Sequence, residues 1–237
     1  MSDHFVHIYK TGAMRELQQF LARGYVWYVS GTVEPHRLHV MVCKFLDRYE
    51  IDRSKNRRYS AKKRGESNCH LVSWLDRENH IVRWWLVVTE GYGLVTEMEN
   101  LVDATSPKSR LTLTGYEMVK LPRKGQKATW TWRMTKDTYS SWSGKVRSAF
   151  RNNNTAKQKQ ILYSLPRSPG FYGARQQVWD LIQQARADWK RAQSMEWPYG
   201  RIMIPWEGRY RTAAQLAART ISERARRRRK LVKKGET

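Results

Sequence analysis

A chain of 237 residues that is 40% hydrophobic, with 11 Trp, 12 Tyr and 5 Phe, has material for one large core or two small ones. Against 21 Asp and Glu stand 45 Lys and Arg, a formal charge of +24 that favours polyanionic partners, nucleic acid before an acidic membrane surface. Residues 51–68 carry +5 of this and residues 219–237 carry +7, so +12 stays on the remainder and a basic tail on a neutral body is excluded.

In chain order, Met14, Leu17, Phe20 and Leu21 predict a short amphipathic helix over 13–22, ended by Gly24. Residues 24–33, Gly-Tyr-Val-Trp-Tyr-Val-Ser-Gly-Thr-Val, are β-branched and aromatic between bracketing glycines and predict a central strand. Pro35 then sits where a helix starts, and Leu38, Met41, Val42, Phe45 and Tyr49 follow at helical spacing over 36–49. Residues 51–68 have almost no apolar content and read as a basic loop, a length that in a compact domain is either functional or disordered. The runs 69–75 and 81–89, joined by Asp76-Arg77-Glu78-Asn79, read as a hairpin. Leu94, Val95, Met98, Leu101 and Val102 form the stripe of a second helix, closed by Pro107. Residues 111–121 read as a strand with a bulge at Gly115, and after a turn at 122–127 the run 130–134 alternates with period two.

Strand, helix, strand, strand, helix, strand over 24–121 is the order of the split βαβ unit. The expected fold class is therefore α+β, a ferredoxin-like N-terminal sheet followed by a helical, arginine-rich C-terminal half. In that half Tyr139, Trp142, Val146, Ala149 and Phe150 mark a helix broken at 151–155, and a short helix over 156–165 ends at Pro166. Val178, Leu181, Ile182, Ala185 and Trp189 mark a long helix, and Trp197, Tyr199 and Trp206 anchor an irregular stretch. A last helix from about 211 carries Ala214, Leu216, Ala217 and Ile221 and runs into the basic run 226–230. The division implied is a sheet domain over 1–135, a helical region over 136–210, and a basic helix and tail over 211–237.

Cys43 and Cys69 provide neither zinc-ligand spacing nor a disulfide framework. No apolar run approaches the ~20 residues of a membrane span, and the N-terminus lacks the basic-then-apolar order of a signal peptide. The expectation is a soluble, cytoplasmic protein with reduced thiols and no membrane partner. His36 and His39 lie three apart on a predicted helix without a third ligand nearby, so neither metal nor cofactor is expected. The strand 81–88 has only His80 at its edge, so the His-x-His metal pair of rolling-circle and relaxase nucleases is missing. Metal-independent RNA cleavage asks for less, because the substrate's 2′-hydroxyl is the nucleophile. His70, His80 and the basic loop are its candidates for acid, base and charge stabiliser.

Binding signals are stronger. Basic and aromatic residues interleave at Arg57-Arg58-Tyr59, Arg83-Trp84-Trp85, Trp130-Thr131-Trp132-Arg133 and Arg209-Tyr210-Arg211, a pattern in which rings stack on unpaired bases and guanidinium groups hold phosphates. Alternation along the strand makes one of Trp84 and Trp85 a platform and the other core. The candidate nucleic-acid contacts in the loop are Arg53, Lys55, Arg57, Arg58, Tyr59, Lys62, Lys63 and Arg64, with Arg83 on the hairpin. Those in the tail are Arg224, Arg226, Arg227, Arg228, Arg229 and Lys230, expected to stay frayed until they meet a polyanion.

The segments Tyr-Val-Ser-Gly-Thr-Val (28–33), Arg-Trp-Trp-Leu-Val-Val-Thr (83–89) and Trp-Thr-Trp-Arg-Met-Thr (130–135) resemble uncharacterised basic proteins of proteobacterial plasmids and integrative conjugative elements. That resemblance runs over the first three quarters of the chain and implies a mobile-element setting. The element order is similar to that of ferredoxin-like nucleic-acid proteins, including CRISPR repeat-processing endonucleases. Those proteins carry a glycine-rich loop near the C-terminus and often a catalytic histidine. Here only 122–127 is loop-like and no histidine follows His80, so no catalytic residue carries over. The expected function is binding of DNA or RNA in mobile-element biology without catalysis. The alternative is a metal-independent RNA endonuclease, or an RNA-bound subunit that joins other subunits in a CRISPR-like ribonucleoprotein.

Overall fold

The structure is a computed structural model in which residues 3–123, 125–205 and 214–234 are described. The chain divides into two compact units, Met1–Ser109 with Arg211–Thr237, and Arg110–Tyr210. The division thus falls at 109/110 rather than near 135, and the C-terminal segment belongs with the N-terminal sheet.

The first unit is α+β. Its elements are β1 (Phe5–His7), α1 (Lys10–Ala22), β2 (Trp27–Val33), α2 (Leu38–Tyr49), α3 (Lys55–Lys63), β3 (Cys69–Asp76), β4 (Ile81–Val88), α4 (Leu94–Met98) and β5 (Val102–Asp103). Numbered in chain order, β9 (Gln215–Ala217) and α8 (Ala218–Lys234) complete it. One six-stranded mixed sheet runs in the order β5-β2-β4-β3-β1-β9, with only the β1–β3 pair parallel. The hairpin of β3 and β4 pairs without a break from Cys69↔Val88 to Asp76↔Ile81.

Both faces of this sheet are covered at β3 and β4, whereas Ser30 and Thr32 leave the far face of β2 exposed. Cys69, Leu71, Val82, Leu86 and Val88 point to the layer of α2, α4 and α8, where Val42, Phe45, Val95 and Ile221 meet them. On the opposite face α1 packs on β3, and Phe20 stacks on His70 with ring centroids 4.4 Å apart. Double coverage decides the fate of the tryptophan pair. Trp85 is 4% exposed, and Trp84 packs edge-on against Phe45 at 5.4 Å. Neither indole is left as a free platform.

Several local expectations change here. The basic stretch 51–68 is not a continuous loop, because nine of its residues form α3. Its N-cap Ser54 accepts a hydrogen bond from Arg57 N–H, and Ala61 is its one buried residue. The helix expected through Val102 ends at Met98, and Val102 pairs with Tyr28 in β5. The last helix begins at Ala218 because the preceding three residues pair with β1.

The second unit holds β6 (Thr112–Leu113), β7 (Tyr116–Arg123), β8 (Gln126–Met134), α5 (Lys136–Arg151), α6 (Thr155–Ser164) and α7 (Tyr172–Gln193). The stretch 111–121 is therefore two strands of a separate three-stranded sheet, in the order β6-β7-β8, instead of the closing strand of the first sheet. At the expected bulge the chain turns through Thr114 and Gly115, with φ of 35° and 80°, and pairs Leu113 with Tyr116. Two residues at positive φ make a tight primed hairpin turn. Trp132 is fully buried against Phe171, and Gly173 N–H at the start of α7 donates to Thr131 Oγ1 of β8.

Candidate nucleic-acid interface

The cations of 53–64 sort into two groups by what stands beside them. Arg53 Nε donates to Glu50 at 2.7 Å and its Nη1 to the Ser67 carbonyl, Arg57 reaches Glu50 at 2.6 Å, and Arg64 pairs with Glu66 at 2.6 Å. The bond from Arg53 holds the Glu50 carboxyl below the usual carboxylate range. Arg58 is half-buried, and its charge acts on Tyr25, Cys69 and His70. That leaves Lys55, Tyr59, Lys62 and Lys63, spaced i, i+4, i+7 and i+8 on α3, as one solvent-facing stripe. Tyr59 is 62% exposed and Lys63 Nζ lies 4.9 Å from its ring centroid. Among the described residues no carboxylate pairs with these three lysines.

The tail is also sorted, and it is helical through Lys234 rather than frayed. Ser222 Oγ–H donates to the Pro35 carbonyl at 2.9 Å and accepts from His39 N–H at 3.0 Å, so it satisfies a donor at the start of α2. Arg226 donates to the His36 carbonyl, and Arg229 Nη1 donates to His36 Nε2 at 2.8 Å. These contacts fix one side of α8. Arg224, Arg227, Arg228 and Lys230 are exposed, with no carboxylate in ion-pair reach among the described residues. Side chains at 233 and 234, and the Arg209-Tyr210-Arg211 and Trp206 signals, lie outside the described residues.

Arg83 does not join either group. Its Nε donates to Asp76 at 2.9 Å, and Asp76 is 2% exposed, so this guanidinium holds the end of the hairpin. Trp132-Arg133 is likewise used internally, since Trp132 is core and Arg133 Nε donates to Glu117 at 2.7 Å.

The two histidine candidates stand apart. His70 is near the start of β3 and His80 lies in the turn after its end, at φ 54°. Some ten residues of chain and roughly 20 Å of strand separate them, so they do not share a reacting group. His70 instead faces His4 across a cavity of about 260 Å³ that Glu16, Asp52 and Gln215 also line. His4 Nε2 lies 3.0 Å from Ser73 Oγ, and His7 Nε2 lies 2.5 Å from Glu16. Burial pushes both His4 and His70 down to about 4, so each is a neutral base at pH 7. Sequence reasoning missed His4, His7 and Glu16. They come together only because β1 pairs with β3, and a three-residue strand leaves no periodic signal.

Among the described residues no three His, Cys, Asp or Glu side chains are grouped to hold a metal, and no helix is long and apolar enough to cross a membrane. No family model, curated protein or solved structure matches the chain.

Proposed function

We propose that this chain is a cytoplasmic nucleic-acid-binding protein of a mobile element, holding the phosphate backbone without chemistry of its own. The reading is carried by the sorting of its cations. Arginines beside acids are paired, whereas three lysines on α3 and four cations on α8 stand exposed with no carboxylate in reach among the described residues. A surface charged only for solubility intersperses both signs. Helix α2 links the two clusters: Glu50 at its C-terminal end holds Arg53 and Arg57 at the start of α3, and His39 at its own start meets α8. Twelve residues of helix are about 18 Å, the rise of about five nucleotides in a duplex strand. The antiparallel run β5-β2-β4-β3, with α2 and α4 on one face, supports a ferredoxin-like split βαβ reading extended by β1 and β9.

The test is anisotropy of labelled DNA and RNA, single- and double-stranded, across a salt series. Log affinity is expected to fall linearly with log salt, by about 0.7 to 0.9 per phosphate neutralised. Absence of binding, or binding indifferent to salt, overturns the proposal.

A second reading, metal-independent RNA cleavage, is favoured by the cavity that His4 and His70 share. Both imidazoles are unprotonated at neutral pH, so they accept a proton only weakly, and an acid has to come from elsewhere. Cleavage of a labelled RNA hairpin in EDTA, lost in His4→Ala and His70→Ala, would establish it. Intact RNA after long incubation removes it. Co-purification of one discrete RNA species would favour an RNA-bound subunit.

A further inference from the structure

The second unit contains a cavity that the backbone-binding reading does not use. Helices α5 and α6 are joined by three asparagines, with Asn153 at φ 47° and the Asn154 side chain capping α6 through Lys157 N–H. Gln158, fully buried, ties the pair together: its Nε2 donates to the Ala149 carbonyl at 3.1 Å, and Tyr199 donates to its Oε1. Between the helices lies an open-mouthed cavity of about 460 Å³. Ile161 forms its apolar floor, Trp142 supplies an aromatic wall, and Ser148 and Gln160 supply hydrogen-bonding groups. Lys145 and Lys157 stand at its sides, with no acid in the lining, and Lys145 Nζ lies 5.1 Å from the Trp142 ring.

Size, ring, neutral polar edge and paired cations together match one nucleotide. A base stacks on Trp142, its edge meets Ser148 and Gln160, and its phosphate draws Lys145 off the ring to join Lys157. A base inside a duplex is stacked on both sides and cannot enter. We propose that the α5–α6 cavity takes a single unpaired nucleotide of a bound strand. This rests on the nucleic-acid reading above and adds to it a preference for single-stranded or bulged substrate.

The test uses the full chain and three probes: a single-stranded oligonucleotide, the same strand with one abasic residue at its centre, and the corresponding duplex. Trp142→Ala is expected to weaken single-strand binding roughly tenfold or more, the size of one base–aromatic stack, and to leave duplex binding unchanged. Trp142→Phe is expected to restore most of the loss. Lys145→Ala with Lys157→Ala is expected to reduce the single-strand salt slope by about 1.4. An oligonucleotide carrying 5-iodouracil reports on the wild-type protein independently of any variant's folding, and is expected to cross-link to the peptide containing Trp142. Unchanged single-strand affinity in Trp142→Ala, or cross-links confined to α3 and α8, overturns the cavity proposal and leaves backbone binding standing. Absence of binding to all three probes overturns both.

Discussion

A Cβ placed on Gly31 would fall 2.7 Å from Cζ2 of Trp84, its cross-strand partner, closer than any side-chain carbon tolerates. The indole lies over the glycine and reaches Phe45 on α2, so the small residue in β2 is what lets Trp84 lie against the helix layer. Gly31→Ala is predicted to destabilise the first unit by about 1–3 kcal/mol, the usual cost of overpacking. Pairing it with Trp84→Leu should recover part of the loss, and urea midpoints of the two single variants and the double variant measure that coupling. Additive effects would mean that the ring and the glycine do not meet.

The sorting of cations predicts a dissociation between charge and binding. Lys55, Lys62 and Lys63 replaced together by Ala should lower the salt slope of duplex binding by about 2–3. Replacing Arg53 and Arg57, a smaller loss of charge, should change the slope little and lower thermal stability, because both hold Glu50. Equal slopes for the two sets would show that net charge alone matters.

Stability should depend on pH through His4 and His70, both half-buried. Both titrate near 4 in the folded protein and near 6.5 when unfolded, so the unfolded chain binds more protons between those values. Their contribution is present in full above about pH 6.5 and declines as pH falls towards 4, at up to about 1.4 kcal/mol per pH unit for each. Urea unfolding at pH 7, 5.5 and 4.5 should show this. His70→Phe, which keeps a ring on Phe20, should flatten the dependence. A dependence unchanged in that variant would remove His70 from the account.

Cys69 should be chemically silent while the protein is folded. Burial pushes its thiol up to about 12, and its Sγ–H donates to the Tyr49 carbonyl at 3.1 Å. Mass spectrometry after iodoacetamide treatment at pH 8 should find Cys69 unmodified, and modified once denaturant is present. Native-state labelling at that position would contradict the packing of α2 on β3.

Periodic elements with an apolar partner were legible from the chain alone. The helix over 36–49, the 69–89 hairpin and the helix carrying Val178, Leu181, Ile182 and Ala185 each stand within a few residues of expectation, because burial on one face imprints a repeat. Elements held by other means were not. Helix α3 buries one alanine and is tied down by Glu50 and Glu66, acids that flank it in the chain, so it has no apolar period to detect. Strands β5 and β9 are two and three residues long, shorter than any pattern. The tryptophan pair departs from expectation because alternation separates inside from outside only where one face of a sheet is wet, and at β3 and β4 both faces are covered. At the candidate interface the sequence supplies the list of cations, and which ones are neutralised follows from how the chain turns toward the acids flanking α3.

The pairing of β1 with β9 joins Phe5 to Ala217 across more than two hundred residues. During synthesis the first strand leaves the ribosome long before its edge partner exists, and its outer hydrogen-bonding groups stay open while the whole second unit is made. At the usual pace of translation that wait is of the order of ten seconds or more. Helix α8 is docked onto α2 only at the close of that interval. On the proposed function, a nascent chain presents the α3 cluster first, and the α8 cluster joins it only when the last strand locks in.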